Sequence, residues 1–270
     1  MSMLKVGFKF SLIIALFAAG LILVAMVFPV LDKTCQPASA RNRCNRIKLL
    51  WIKAFGRILN VQATVEGQAV EGAAMIISNH ISWLDIIALG QLMPGYFVAK
   101  NDILKWPVVG FISRRVGAVF VVRGDKSAIH ATSEQMSWRL KQNCKVFVFP
   151  EGTTTAGSDV LPFHSSLLQP ALLTASPIQP VCLSYDGEAK TLAPFINDDA
   201  FVPHLLRILT LKTVHVRVRM LSVLDCADKG RAHLCREAHA RIQAALLTPD
   251  AVSSDCPEPI PAVRKKLSVS

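Results

Sequence analysis

An α/β fold on a mostly parallel sheet flanked by helices is predicted by two features of this 270-residue sequence. Short apolar runs alternate with stretches of helical periodicity, the pattern of strands joined by helical crossovers. Three of the runs end in polar residues able to do chemistry: His80, Arg123 and Glu151-Gly152-Thr153. Strand ends on one edge of a parallel sheet converge, so three separate motifs become one candidate site. An N-terminal membrane helix and a basic amphipathic helix are expected ahead of this domain. The predicted division is an anchor over 1–44, the α/β domain over 45–248 and a disordered tail over 249–270.

The elements follow in chain order. Phe10 to Leu31 is an uncharged run of 22 residues, softened only by Gly20 and Pro29. At 1.5 Å per residue its length is about 33 Å, enough for a hydrocarbon core of about 30 Å. Lys5 and Lys9 before it and Ala38-Ser39-Ala40 after it also fit a cleaved signal peptide, but the run is longer than such segments use. The following cluster Arg41, Arg43, Arg46, Lys48 resists translocation and favours the cytoplasmic side. A helix dipping into one leaflet is the other reading. Residues 45–60 place Arg46, Lys53 and Arg57 on one side and Leu49, Ile52 and Leu59 on another, as an interfacial helix would.

Val61 to Gly72 has a short, hairpin-like pattern leading into a buried strand, Met75 to Ile77, and then a helix over 83–91. Met93-Pro94-Gly95 turns the chain into a strand from Tyr96 to Ala99, ending at Lys100. A helical stretch from Trp106 to Arg115 precedes the strand Ala118 to Val122, which ends at Arg123. A helix over 126–142 and an apolar strand, Val146 to Phe149, lead into Pro150-Glu151-Gly152-Thr153-Thr154-Thr155. Helix 165–175, strands Ile178 to Ser184 and Thr213 to Met220, and a helix over 231–246 complete the domain. Pro249 to Ser270 is rich in Pro, Ser and charge and reads as disordered.

Composition narrows the function. The net charge is +11, and residues 1–60 supply +8 of it, with nine Lys/Arg against Asp32 alone. A basic segment beside an apolar run points to an anionic membrane surface. No basic stripe interleaved with aromatics occurs, so nucleic acid is not an expected partner. Hydrophobic residues make up 51% of the chain, more than a soluble domain needs for its core. The seven cysteines are odd in number, include no C-x-x-C pair and read as reduced thiols, and no metal is expected. Neither a glycine-rich nucleotide fingerprint nor a G-x-S-x-G elbow is present.

The centre of the pattern is Ser78-Asn79-His80-Ile81-Ser82-Trp83-Leu84-Asp85, at a strand end opening onto a helix. A carboxylate can hold an imidazole through one nitrogen and stabilise its protonated form, while the other nitrogen takes a proton from a hydroxyl.

These residues bring a family into view. Asn79 to Asp85 resembles the H-x-x-x-x-D motif of the glycerolipid acyltransferases, which include 1-acylglycerol-3-phosphate acyltransferases. Lys100, Pro107, Gly110 and Gly117 to Arg123 are similar to the second block, Phe149 to Thr153 to the third, and Pro180-Val181 to the fourth. The resemblance covers residues 45–225. It implies acyl transfer from coenzyme A or acyl carrier protein thioesters, as co-substrates rather than cofactors, to a lysolipid hydroxyl. His80 would be the base and Asp85 its orienting partner, with no covalent intermediate. Lys100 and Arg123 would contact the acceptor headgroup, and Glu151, Gly152 and Thr153 would shape the pocket. Membrane lipids would be partners, and the cytoplasmic face of a bacterial inner membrane the place.

The leading acceptor so implied is 1-acyl-sn-glycerol-3-phosphate, giving phosphatidic acid. One departure keeps a second acceptor open: Thr154 stands where the family's arginine usually follows Glu-Gly-Thr. The text from Glu151 to Thr155, with Leu161 to Leu168, is similar to the lyso-ornithine-lipid acyltransferase branch, whose acceptor carries no phosphate. His164 falls in this stretch without an assigned role.

Overall fold

The computed structural model describes residues 3–121, 126–227 and 229–248. The expected tail and Arg123 therefore lie outside the described residues.

The chain opens with α1 (Met3–Ile22), a π segment (Leu23–Val27) and α2 (Phe28–Thr34), together one apolar rod of 32 residues. It is long and apolar enough to cross a membrane, and most of its surface faces away from the protein. It exceeds the expected 10–31 because Lys5 and Lys9 are carried within the helix. Pro29 has no N–H for the preceding turn, and the π segment just before it absorbs that loss.

After Cys35 and Gln36 the chain folds back as α3 (Pro37–Leu59), which runs unbroken across residues 44 and 45. Trp51 Nε1 donates to the Leu16 carbonyl at 2.9 Å, and Phe17 meets Trp51 and Phe55 edge-on at 5.4 and 5.6 Å. Gly20 permits this approach, since a Cβ there would stand 2.9 Å from the indole nitrogen. Arg46 and Arg57 are exposed while Phe55 and Leu59 are buried, as amphipathicity predicts.

The domain continues through β1 (Val61–Glu66), β2 (Ala74–Ser78), α4 (Leu84–Leu92), β3 (Tyr96–Lys100), α5 (Pro107–Arg115), β4 (Val119–Val121), α6 (Lys126–Lys141) and β5 (Lys145–Val148). It closes with α7 (Gln169–Leu173), β6 (Ile178–Asp186), α8 (Ala189–Leu192), α9 (Phe201–Leu209), β7 (Val214–Met220) and α10 (Arg231–Leu247). Among the described residues the strands form one sheet in the order β1-β7-β6-β2-β5-β3-β4. The pairs β2–β6, β2–β5, β5–β3 and β3–β4 are parallel, as predicted; β6 and β7 are antiparallel, and β1 runs parallel to β7.

Successive side chains serve opposite faces. Ala74 and Ile76 pack toward α3, α4 and α9, with Leu59, Leu84 and Ile208; Met75 and Ile77 pack toward α6 and α10, with Met136, Leu140, Leu234 and Ile242. Burial on both faces explains why the central strands are continuous apolar runs.

The expected hairpin over Val61–Gly72 does not form. Val61 pairs with Val214 and Glu66 with Arg219, so β1 takes its partner from the far end of the domain. Arg219 Nε lies 3.0 Å from Glu66 Oε2, a cross-strand ion pair that fixes this register.

A cationic pin ties the hairpin of α1–α3 to the domain. Lys48 Nζ lies 4.3 Å from the Tyr96 ring centre and donates to the Val116 carbonyl at 3.2 Å. The Arg139 guanidinium sits 4.0 Å from the same ring and reaches the Gly117 carbonyl. Both cations thus meet the C-terminal end of α5, where helix carbonyls favour positive charge. Burial, and then Arg139, lower the Lys48 pKa to about 8.

Candidate active site

Parallel strands β2, β5 and β3 end side by side, and the loops leaving them meet. Asp85 enters the first turn of α4 and is fully buried. Its Oδ2 accepts from His80 Nδ1 at 2.8 Å, from the Ile81 N–H at 2.7 Å and from the Ser82 N–H at 2.9 Å; its Oδ1 accepts from the Tyr185 hydroxyl at 2.6 Å. Four donors fill the acceptor sites of the carboxylate, and a ring that donates to it from Nδ1 has Nε2 as its remaining nitrogen. His80 Nε2 has no hydrogen-bond partner among the described residues. The ring stacks on Phe149 at 4.0 Å and 14°, which fixes its plane.

Glu151 holds the backbone beneath the histidine. Its Oε1 accepts from the His80 N–H at 2.7 Å and its Oε2 from the Leu161 N–H at 2.8 Å. Burial pushes its pKa up to about 7, against the lowering effect of those two N–H bonds; the Asp85 and Asp159 carboxylates push it up further. Gly152 turns the chain directly after it with φ +67°, a left-handed conformation that favours glycine, and its N–H returns to the Phe149 carbonyl at 3.0 Å. The amides of His80, Ile81, Ser82 and Gly152 are thus all engaged, and none is free as an oxyanion donor in this arrangement.

Further clamps unite the loops. The Asn79 amide bridges both backbone polar atoms of Leu183 at 2.9 and 2.8 Å, locking the end of β2 to β6. Thr155 N–H donates to the His80 carbonyl at 2.8 Å, and Phe195 N–H to the Ile81 carbonyl at 2.9 Å. The Thr154 hydroxyl donates to the Phe195 carbonyl. Trp83 Nε1 donates to His204 Nδ1 at 3.1 Å, while His204 Nε2 faces the Ala193 and Pro194 carbonyls at 3.2 Å. Burial, then the nearby Arg207 charge, lowers the His204 pKa, consistent with this neutral acceptor role.

Behind Phe149 opens a cavity of about 340 Å³. Lys100, Gly152, His164 and Ser166 are among its polar lining, and Val98, Val121, Met136, Val148 and Leu167 among its apolar walls. Of the predicted site residues, the structure brings His80, Asp85 and Glu151 into hydrogen-bonded contact and places Lys100 and Gly152 on this cavity. Thr153 is exposed on the turn, outside that cluster.

Tyr185, Phe149 as the stacking partner, and the loop around Phe195 were missed by sequence reasoning. Tyr185 is one of two tyrosines in the chain, one position beyond the predicted strand end. Its pKa is raised well above the ordinary value by burial and by Asp85, so it remains a donor. Helix α9, which carries His204, was also missed, although Phe201, Leu205 and Leu209 repeat at helical spacing.

Known proteins resemble this chain in sequence and in fold. A family model described as acyltransferase matches residues 60–184. Lyso-ornithine lipid O-acyltransferase of Pseudomonas aeruginosa is 31% identical over 248 residues, 91% of this chain and 95% of that protein. A 1-acyl-sn-glycerol-3-phosphate acyltransferase of Neisseria meningitidis is 33% identical over 156 residues, 57% of this chain and 61% of that one. The crystal structure of the 1-acyl-sn-glycerophosphate acyltransferase PlsC from Thermotoga maritima superposes with a TM-score of 0.66 at 19% identity, covering 90% of this chain and 94% of that one, which supports the fold. With a relative matched over nearly its whole length, this chain belongs to the glycerolipid acyltransferase family.

Proposed function

We propose that the protein transfers a fatty acyl group from a coenzyme A or acyl carrier protein thioester to the free hydroxyl of a lyso-ornithine lipid. The observation that carries the chemistry is the His80–Asp85 pair, with Nδ1 engaged and Nε2 open. The acceptor hydroxyl gives its proton to Nε2 as its oxygen attacks the thioester carbonyl; Asp85 stabilises the imidazolium. Collapse of the tetrahedral adduct breaks the C–S bond, and the departing thiolate takes the proton back. The carboxylate neither moves nor accepts that proton.

Thr154 carries the choice of acceptor. Its short side chain is committed to the Phe195 carbonyl, so the place of the family's usual third-block arginine offers no cation. The relative matched over nearly its whole length is named for lyso-ornithine lipid. Lys100, with Arg123, is assigned to the acceptor's carboxylate, Glu151, Gly152 and Thr153 to shaping the pocket, and the apolar walls behind Phe149 to an acyl chain.

Lysophosphatidic acid is the second reading, favoured by the Neisseria relative's name and by a lysine on the cavity. The apolar rod Met3–Thr34 and the exposed arginines of α3 support a membrane-bound enzyme, and we assign it to the cytoplasmic face of a bacterial inner membrane.

A competition assay tests the acceptor. Full-length protein in detergent is given both lysolipids at equal concentration with each labelled thioester. Ornithine lipid is expected to form about tenfold or more faster than phosphatidic acid, and Thr154→Arg to narrow that ratio, since a charge-assisted contact contributes about 1.5–3 kcal/mol. Phosphatidic acid as the dominant wild-type product overturns the acceptor and leaves the acyl transfer standing.

A further inference from the structure

The segment between Gly157 and His164 carries no strand or helix of its own, yet it supplies the Leu161 N–H to Glu151. Its placement comes from α10, which lies beyond the residues matched by the family model. Leu234, Ala238 and Ile242 anchor one stripe of α10 in the core, all fully buried. Cys235, His239 and Gln243, spaced i, i+4 and i+8, form the neighbouring stripe and face the segment. His239 Nε2 lies 3.0 Å from the Val160 carbonyl, and Gln243 Oε1 accepts from the Val160 N–H at 3.0 Å, a donor shared with Asp159 Oδ1 at 2.8 Å. Phe163 packs edge-on against the His239 ring at 5.0 Å, and the Cys235 thiol reaches the Phe163 carbonyl at 3.4 Å. One residue beyond Val160, Leu161 N–H meets Glu151 Oε2, whose other oxygen holds the His80 N–H.

We propose that His239 and Gln243 are positioning residues for acyl transfer: they grip both backbone polar atoms of Val160 and, through Leu161 and Glu151, fix the backbone of His80. The proposal rests on the reading of His80 as the base. It makes α10 part of the working site although it touches no substrate, and it makes histidine at 239 a fixed Nε2–H donor to a carbonyl.

The test uses the full-length protein with His239→Leu and Gln243→Met, singly and together, and His239→Gln as the conservative control. Amide hydrogen exchange reads the linkage without any acceptor. In the double variant the amides of Leu161 and His80 are expected to exchange about tenfold faster while those of β6 are unchanged. In the transfer assay kcat is expected to fall about tenfold with KM within about twofold. The acid limb of kcat should also move to higher pH. Glu151 faces His80, Asp85 and Asp159, and losing the Leu161 N–H removes one of the two bonds that hold its carboxyl in the charged form. His239→Gln should keep wild-type exchange and kcat. Gln243→Met alone, which preserves volume, gives a smaller change in the same direction if the double variant does not fold. Unchanged exchange at His80 and Leu161 with unchanged kcat in the folded variants would overturn the proposal. A wild-type protein that transfers acyl groups to neither lysolipid would instead count against the functional reading, and exchange would still decide the linkage.

Discussion

Alanine in place of His80 is expected to slow acyl transfer by about 10³-fold, within the range of about 10² to 10⁴ that a positioned acid–base group contributes. No neighbour substitutes for it. Without the ring, Asp85 is still buried under three donors, and Glu151 has both oxygens on backbone amides. The fold should survive, because the ring is a partly exposed cap on Phe149 and its removal opens the site toward solvent rather than leaving a sealed void. Initial rates with labelled thioester, beside a thermal melt, check both halves. A folded His80→Ala protein with a wild-type rate removes His80 from the chemistry.

Asp85→Asn is the second large effect, expected to lower kcat about 10²-fold or more while leaving the protein folded. The physical reason is an uncommon tolerance of the site. An asparagine oxygen can still accept from His80 Nδ1 and the Ile81 and Ser82 amides, and its NH₂ can donate to the Tyr185 oxygen once that hydroxyl rotates. Hydrogen bonding is largely kept, and only the charge that stabilises the imidazolium is lost. Asp85→Ala should behave differently. It strands buried donors at about 1–3 kcal/mol each and should cost the fold as well as the rate. Parallel kcat and melting measurements on the two variants separate charge from scaffold. Equal loss of stability in both would show that the carboxylate serves structure alone.

What the sequence made legible was local. The five-residue spacing of His80 and Asp85 is closed within one strand-to-helix turn, so the pair follows from its own eight residues. The parallel core and the convergence of strand ends also follow from apolar runs that stop at polar residues. What escaped was long-range. Tyr185 reaches Asp85 across 100 residues, and α10 supports the Glu151 loop from about 80 residues away. No spacing rule links such positions. β1 read as half of a hairpin because its true partner, β7, lies at the other end of the domain. The contacts by which Trp51 and Phe17 bind the N-terminal apolar run to α3 are likewise invisible to spacing. Thr154 was legible as a departure from the family pattern, but only the structure shows its hydroxyl tied to the Phe195 carbonyl.

Direct attack of the acceptor hydroxyl on the thioester, with His80 taking its proton, would leave no acyl group on the protein at any stage. Mixing enzyme with a stoichiometric labelled thioester, with and without lyso-ornithine lipid, then quenching and weighing the intact protein, tests this most directly. No acyl adduct is expected on the protein in either arm, with label appearing in ornithine lipid only when acceptor is present. A protein that gains the mass of the acyl group and passes it on when acceptor is added would contradict it.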